Sequence, residues 1–248
     1  MTTTGSIQID QDLTIHYEEC GQGQPIVFIH GVLGSLKFFQ RQMAALGKHY
    51  RCIALDLRGH GRSTMTQSHM TVPVLARDVK TFLEKMNVSS PILVGWSMGA
   101  FIIWDLYKQF GKLDILGAVI VDQAPTDFRS DKFPDGLLSF EDLCNWHEQM
   151  LTDQRELVRS IVPMMFHTVP EKPHFDWMWQ EMCSAPASIA ANIIFDQSVR
   201  DYSDTVVGYP IPTLVCAGKH SPQPLSAAKM VAESAQDGEL SVFQESGH

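Results

Sequence analysis

A chain of 248 residues with 44% hydrophobic, 9% aromatic and 19% charged residues can bury one large core, and α/β domains of this length often stand undivided. Its formal net charge of −9 argues against a nucleic-acid or anionic-membrane surface, which needs clustered Lys and Arg, and points to small, neutral partners. Five cysteines (Cys20, Cys52, Cys144, Cys183 and Cys216) are odd in number and lack a C-x-x-C pair, so they read as core thiols of a reducing compartment, with no disulfide framework and no zinc site. No basic segment followed by an apolar run opens the sequence, and no stretch approaches the ~18 apolar residues of a membrane span, from which a cytoplasmic location is expected.

Residues 6–10 and 13–19 alternate apolar and polar side chains and are predicted to form an antiparallel hairpin turned at Gln11-Asp12. The pattern then changes. Residues 25–29, 52–55, 92–94, 118–121 and 213–217 are short, wholly apolar runs ended by Gly, Asp or His, as in strands buried on both faces of a parallel sheet. Spaced apolar residues between them (Val74, Val79, Phe82, Leu83 and Met86, then residues 101–110, then 225–235) predict helices, and the alternation predicts a mostly parallel, doubly wound α/β sheet.

The alternation stops after Ala124-Pro125 and resumes only near residues 209–212, leaving roughly eighty residues without a convincing strand, too many for a plain loop. This predicts a core of residues 1–125 and 209–248 with a helical cap inserted at 126–208. The insert concentrates large, adaptable side chains, among them Phe133, Trp146, Met150, Met164, Met165, Phe166, Trp177, Trp179 and Met182, which form either a satellite core or a pocket lining. Trp146, Met164, Met165 and Trp179, with Trp96 from the core, are the pocket candidates.

Gly95-Trp96-Ser97-Met98-Gly99 lies between an apolar run and a predicted helix. Gly-x-Ser-x-Gly in that setting forces a tight strand-to-helix turn whose small flanking residues leave the serine at the carboxyl edge of the sheet. With His30-Gly31 after the first parallel strand and Asp56-Leu57-Arg58-Gly59-His60-Gly61-Arg62-Ser63 after the next, nearly the whole chain resembles the α/β-hydrolase superfamily. The resemblance implies that Ser97 is a nucleophile and that the backbone N–H groups of Val32 and Met98 form an oxyanion hole. Such donors are worth about 3 kcal/mol each. The following helix adds a favourable dipole, and Arg58 and His60 are expected to hold their loop together.

A serine hydroxyl needs an imidazole to take its proton, and there are ten histidines. Glu245-Ser246-Gly247-His248 follows the predicted last strand (residues 240–243) and resembles the family's glycine-histidine stretch, which makes His248 the base; His30, His147, His167 and His174 are read as satisfied or exposed rings. Family members continue for a helix beyond this histidine, whereas the sequence stops at it, and a base so placed is expected to be poorly ordered. The commonest acid position, three residues beyond Gly218, is Ser221, which cannot hold an imidazolium by charge. Asp122, at the end of the run 118–121, matches the placement in members whose acid follows the sixth core strand and is assigned as orienter; Asp201 and Asp204 are weaker candidates, since no strand fixes them.

These readings imply a serine hydrolase that cleaves a small, neutral, largely apolar carboxylic ester or lactone without metal or organic cofactor. Two other classes remain open: a cofactor-independent oxygenase or perhydrolase on the same fold, and a non-catalytic receptor for a small ligand.

Overall fold

The computed structural model describes residues 2–66, 68–111 and 113–248. Its single sheet contains β1 (Thr3–Gln8), β2 (Thr14–Cys20), β3 (Pro25–Ile29), β4 (Arg51–Leu55), β5 (Ile92–Trp96), β6 (Gly117–Val121), β7 (Thr213–Gly218) and β8 (Gly238–Phe243). The spatial order is β1-β2-β4-β3-β5-β6-β7-β8, antiparallel from β1 to β4 and parallel from β4 to β8. Residues 26–29 and 52–55 are buried throughout, as expected for central strands covered on both faces.

The opening hairpin is less tight than its alternation suggests. Asp10 Oδ1 accepts from Asp12 N–H at 2.9 Å, and Ile9 N–H donates to Leu13 O at 2.7 Å. This side-chain turn draws residues 9–13 out of the ladder, so pairing resumes only at Gln8 opposite Thr14.

Helices cover both faces. α2 (Val72–Lys85), α3 (Met98–Phe110) and α8 (Leu225–Ser234) pack on one face, against Val27, Ile29, Leu93 and Val215. The other face carries Phe28, Ala54 and Trp96 and meets a 3₁₀ turn (Leu36–Phe39), α1 (Gln40–Leu46), α4 (Phe140–Met164), α5 (Lys172–Met182) and α6 (Ala187–Ser198). The segment between β6 and β7 thus holds α4, α5, α6 and the short α7 (Ser203–Val206), with only isolated bridges at Thr126–Asp201 and Phe128–Leu138. A Ser139/Asp142 capping box starts α4, which is broken at Asp153, where φ is −148° and ψ is 64°.

The thiols need one correction. Cys52 is buried and Cys20, Cys183 and Cys216 are half-buried, but Cys144 is exposed on α4, so it is not a core group. No helix among the described residues is long and apolar enough to cross a membrane.

Strand order also decides where a site can form. From β3 the chain moves outward to β4, then returns to place β5 on the other side of β3. Loops leaving β3 and β5 therefore diverge at their carboxyl ends and open a crevice there. Residues 30–34 and Ser97 occupy it.

Candidate active site

The turn after β5 leaves no room for side chains two residues to either side of the serine. A Cβ on Gly95 would lie 2.5 Å from Gly99 C, and one on Gly99 would lie 2.2 Å from Ile29 O, so both positions require glycine. Ser97 itself adopts φ 52° and ψ −121°, a strained conformation for an L-residue, fixed by its N–H donating to Val121 O at 3.0 Å. Its residue is only 8% exposed, and α3 begins at the next position.

His248 lies in the same cavity as Ser97. Its Nδ1 is 2.5 Å from Asp122 Oδ2, and its backbone N–H donates to Met165 O at 2.8 Å. Lys219 N–H to Phe243 O and His220 N–H to Ser246 O, each 3.0 Å, tie the loop after β8 to the loop after β7. The residue is therefore held at both backbone and ring, because three separate segments converge on it. No hydrogen bond joins Ser97 Oγ to the ring among the described residues; such bonds often tighten only around a reacting group.

Asp122 stands at φ 53° just beyond β6. Oδ1 accepts from Gly218 N–H at 3.0 Å, while Oδ2, which faces the imidazole, also accepts from Ser221 Oγ–H. Ser221, the residue at the commoner acid position, thus points at the Asp122 carboxylate. Asp201 is elsewhere, its Oδ1 accepting from Ser203 N–H at 2.8 Å on the exposed side of the helical segment, and Asp204 lies in α7.

The loop carrying Val32 is braced against Ser97. A Cβ on Gly31 would be 3.0 Å from Ser97 Cβ. His30 Nδ1 lies 2.7 Å from Gly31 O and Nε2 accepts from Leu57 N–H at 3.1 Å, which fixes one neutral tautomer; burial lowers its pKa to about 4. His60, lowered by burial to about 3, sits with its ring centroid 5.0 Å from that of His30 and Nδ1 2.9 Å from Arg58 O. Arg58 forks onto Asp78, with Nε–Oδ2 at 2.5 Å and Nη2–Oδ1 at 2.7 Å. Neither side chain lines the Ser97 cavity among the described residues; both knit the loop after β4.

The cavity holds about 190 Å³ and is walled mainly by Leu33, Leu138, Trp146, Ile161, Met165 and Ile194, with Trp96 and Met164 also on its lining. Trp179 is a correction. Its indole N–H donates to Arg155 O at 2.8 Å, and the Arg155 guanidinium lies 4.1 Å from the ring centroid, so the side chain packs along α4 away from the cavity. Sequence reasoning also missed Gln123, Asp127, Gln197 and Gln223, which give this apolar cavity a polar end. For three of them the signal was position, since Gln123 and Asp127 follow Asp122 and Gln223 follows Ser221; Gln197 carried none.

A family model described as alpha/beta hydrolase fold matches residues 24–159. A non-heme chloroperoxidase of Kitasatospora aureofaciens is 27% identical over 247 residues, covering 94% of this chain and 88% of its own. Among solved structures, the crystal structure of a bromoperoxidase from Bacillus anthracis superposes with a TM-score of 0.94 at 22% identity, covering 99% of this chain and 93% of that one. An esterase from Exiguobacterium antarcticum gives 0.91 at 23% identity, with 95% and 89% covered. At these identities the two structures establish a shared fold.

Proposed function

Because this chain belongs to the α/β-hydrolase fold family, we propose that it is a serine hydrolase that cleaves a small carboxylic ester or lactone through an acyl-enzyme on Ser97. His248 takes the Ser97 proton through Nε2 as Oγ attacks the carbonyl carbon. Asp122, holding Nδ1–H, fixes the tautomer that leaves Nε2 free and then stabilises the imidazolium. Negative charge on the carbonyl oxygen is met by the Val32 and Met98 N–H groups and the first turn of α3. The imidazolium protonates the departing alkoxide; a water deprotonated by His248 then attacks the acyl carbon, and the imidazolium returns that proton to Ser97 Oγ as the acid is released. The observation that carries this reading is that His248, 2.5 Å from Asp122, lines the same cavity as a serine on a strained strand-to-helix turn.

Ser97→Ala is expected to abolish hydrolysis of p-nitrophenyl acetate and labelling by a fluorophosphonate while leaving the fold intact, since the hydroxyl makes little core contact. Labelling at an unchanged rate would remove Ser97 from the mechanism, and a wild-type protein that neither turns over nor labels would be a receptor.

The likeness to a non-heme chloroperoxidase favours a second reading, in which hydrogen peroxide replaces water at the acyl-enzyme and the product is a peracid. It uses the same three residues, and peracid formation from acetate and hydrogen peroxide distinguishes it. A dyad oxygenase is disfavoured, because it would leave the serine turn without use.

A further inference from the structure

The steps above leave one buried polar group of the cavity without a role. Asp127, 4% exposed, accepts from three glutamines: Gln123 Nε2 at 2.7 Å and Gln223 Nε2 at 3.1 Å on Oδ1, and Gln197 Nε2 at 3.2 Å on Oδ2. All four residues are more than nine-tenths buried and all four line the cavity that holds Ser97 and His248. Gln123 and Asp127 come from the loop after β6, Gln223 from the loop after β7, and Gln197 from α6.

Three amides aimed at one carboxylate must turn their carbonyl ends away from it. Gln223 Oε1 accepts from Ala124 N–H at 3.3 Å. Gln123 Oε1 and Gln197 Oε1 have no hydrogen-bond partner among the described residues. A buried amide oxygen without a donor carries a desolvation penalty that a donor would remove, and an apolar substrate tail placed against it would leave that penalty in force.

We propose that this cluster is a specificity subsite for a neutral hydrogen-bond donor, a hydroxyl or amide N–H, borne on the short chain of the ester or lactone. Charge argues for a neutral group. Asp127 is already satisfied by three N–H donors, and the two bare acceptors are uncharged carbonyls, too few for an ammonium with three hydrogens to place. The rest of the wall is mostly apolar, as Leu138, Ile161, Met182 and Ile194 illustrate, and among the described residues the two amide oxygens are the buried side-chain acceptors of this lining left without a partner. The subsite rests on the hydrolytic reading for what the substrate is, and binding can be measured without turnover.

The test uses the tryptophan fluorescence of the full chain, Trp96 and Trp146 being on the cavity wall. It is titrated with ω-hydroxy methyl ketones of about six to eight carbons, each paired with the ketone that has methyl in place of hydroxyl. At the best chain length the hydroxy ketone is expected to bind about tenfold more tightly than its partner. Gln197→Met and Gln123→Met, made singly, should erase that ratio while changing the dissociation constant of the apolar ketone less than about threefold. If the cluster merely fastens α6 to the sheet, the variants lower both affinities by one common factor, and the proposal fails. A wild-type ratio of one or less at every chain length overturns it without any variant, whether or not these fold. Fluorophosphonate labelling of the same sample reports separately on Ser97, so loss of the hydrolytic reading and loss of the subsite are told apart.

Discussion

The orienting role proposed for Asp122 rests on which neighbour each of its oxygens meets. Its two oxygens divide the work: Oδ1 is anchored by Gly218 N–H, and Oδ2 receives both the imidazole and the Ser221 hydroxyl. Asp122→Asn should lower kcat by several orders of magnitude with little change in KM, because the contact to an imidazolium is made in the transition state. The corresponding change in a serine protease costs about 10⁴, which sets the scale. Since Ser221 Oγ reaches the oxygen that faces the ring, the double variant Asp122→Asn with Ser221→Asp should recover at least about tenfold of the lost kcat, or roughly 1.4 kcal/mol. Retention of more than about a tenth of wild-type kcat by Asp122→Asn alone would exclude it as the orienting acid.

The helices between β6 and β7 mix two kinds of large apolar residue that look alike in sequence. Trp146 on α4 faces the cavity, whereas Trp179 on α5 lies under Arg155 and bonds to its carbonyl oxygen. Trp146→Ala should therefore change the ranking of acyl chain lengths more than it changes activity on acetyl esters. Trp179→Ala should leave the ranking alone and lower stability by about 2 kcal/mol, from a cation–π contact, one hydrogen bond and the packing of a half-buried ring. Steady-state kinetics over a series of p-nitrophenyl esters, with a urea titration, checks both. A shifted ranking in Trp179→Ala would contradict the packing described.

Two buried imidazoles tie the stability of the whole molecule to pH. Burial holds His30 at about 4 and His60 at about 3, against the ordinary 6.5, the Gly31 and Arg58 carbonyls offsetting part of the effect. Between pH 6.5 and about 4 the unfolded chain takes up protons that the folded one refuses, so these residues cost nothing above 6.5 and destabilise increasingly as pH falls through the window. The carboxyls of Asp56, Asp78 and Asp127 are pushed up by burial and act in the opposite sense, since the folded chain keeps their protons where the unfolded chain has lost them. The imidazole contribution can be isolated by His60→Asn. Its urea-unfolding free energy should depend on pH less steeply, by up to about 1.4 kcal/mol per pH unit between 4 and 6.5. An unchanged slope would mean that His60 gains no proton on unfolding.

What could be read from the chain alone rests on constraints between near neighbours. Continuous apolar runs need strands covered on both faces, and Gly95 and Gly99 are required by atoms within a few residues or on the adjoining strand, so the parallel sheet and the turn around Ser97 were legible. The choice among Asp122, Asp201 and Asp204 was not settled by any such rule, because His248, the proposed base, lies 126 residues from Asp122 and the two meet only through the strand order that sets β6 beside β7 and β8. The same holds for Asp127, whose amide partners come from two loops and a helix that composition leaves anonymous. The partner of Trp179, which packs against α4 and not the cavity, and the exposure of Cys144 also escaped the sequence, since hydrophobic character says that a side chain seeks a partner but not which face of the helix will find one.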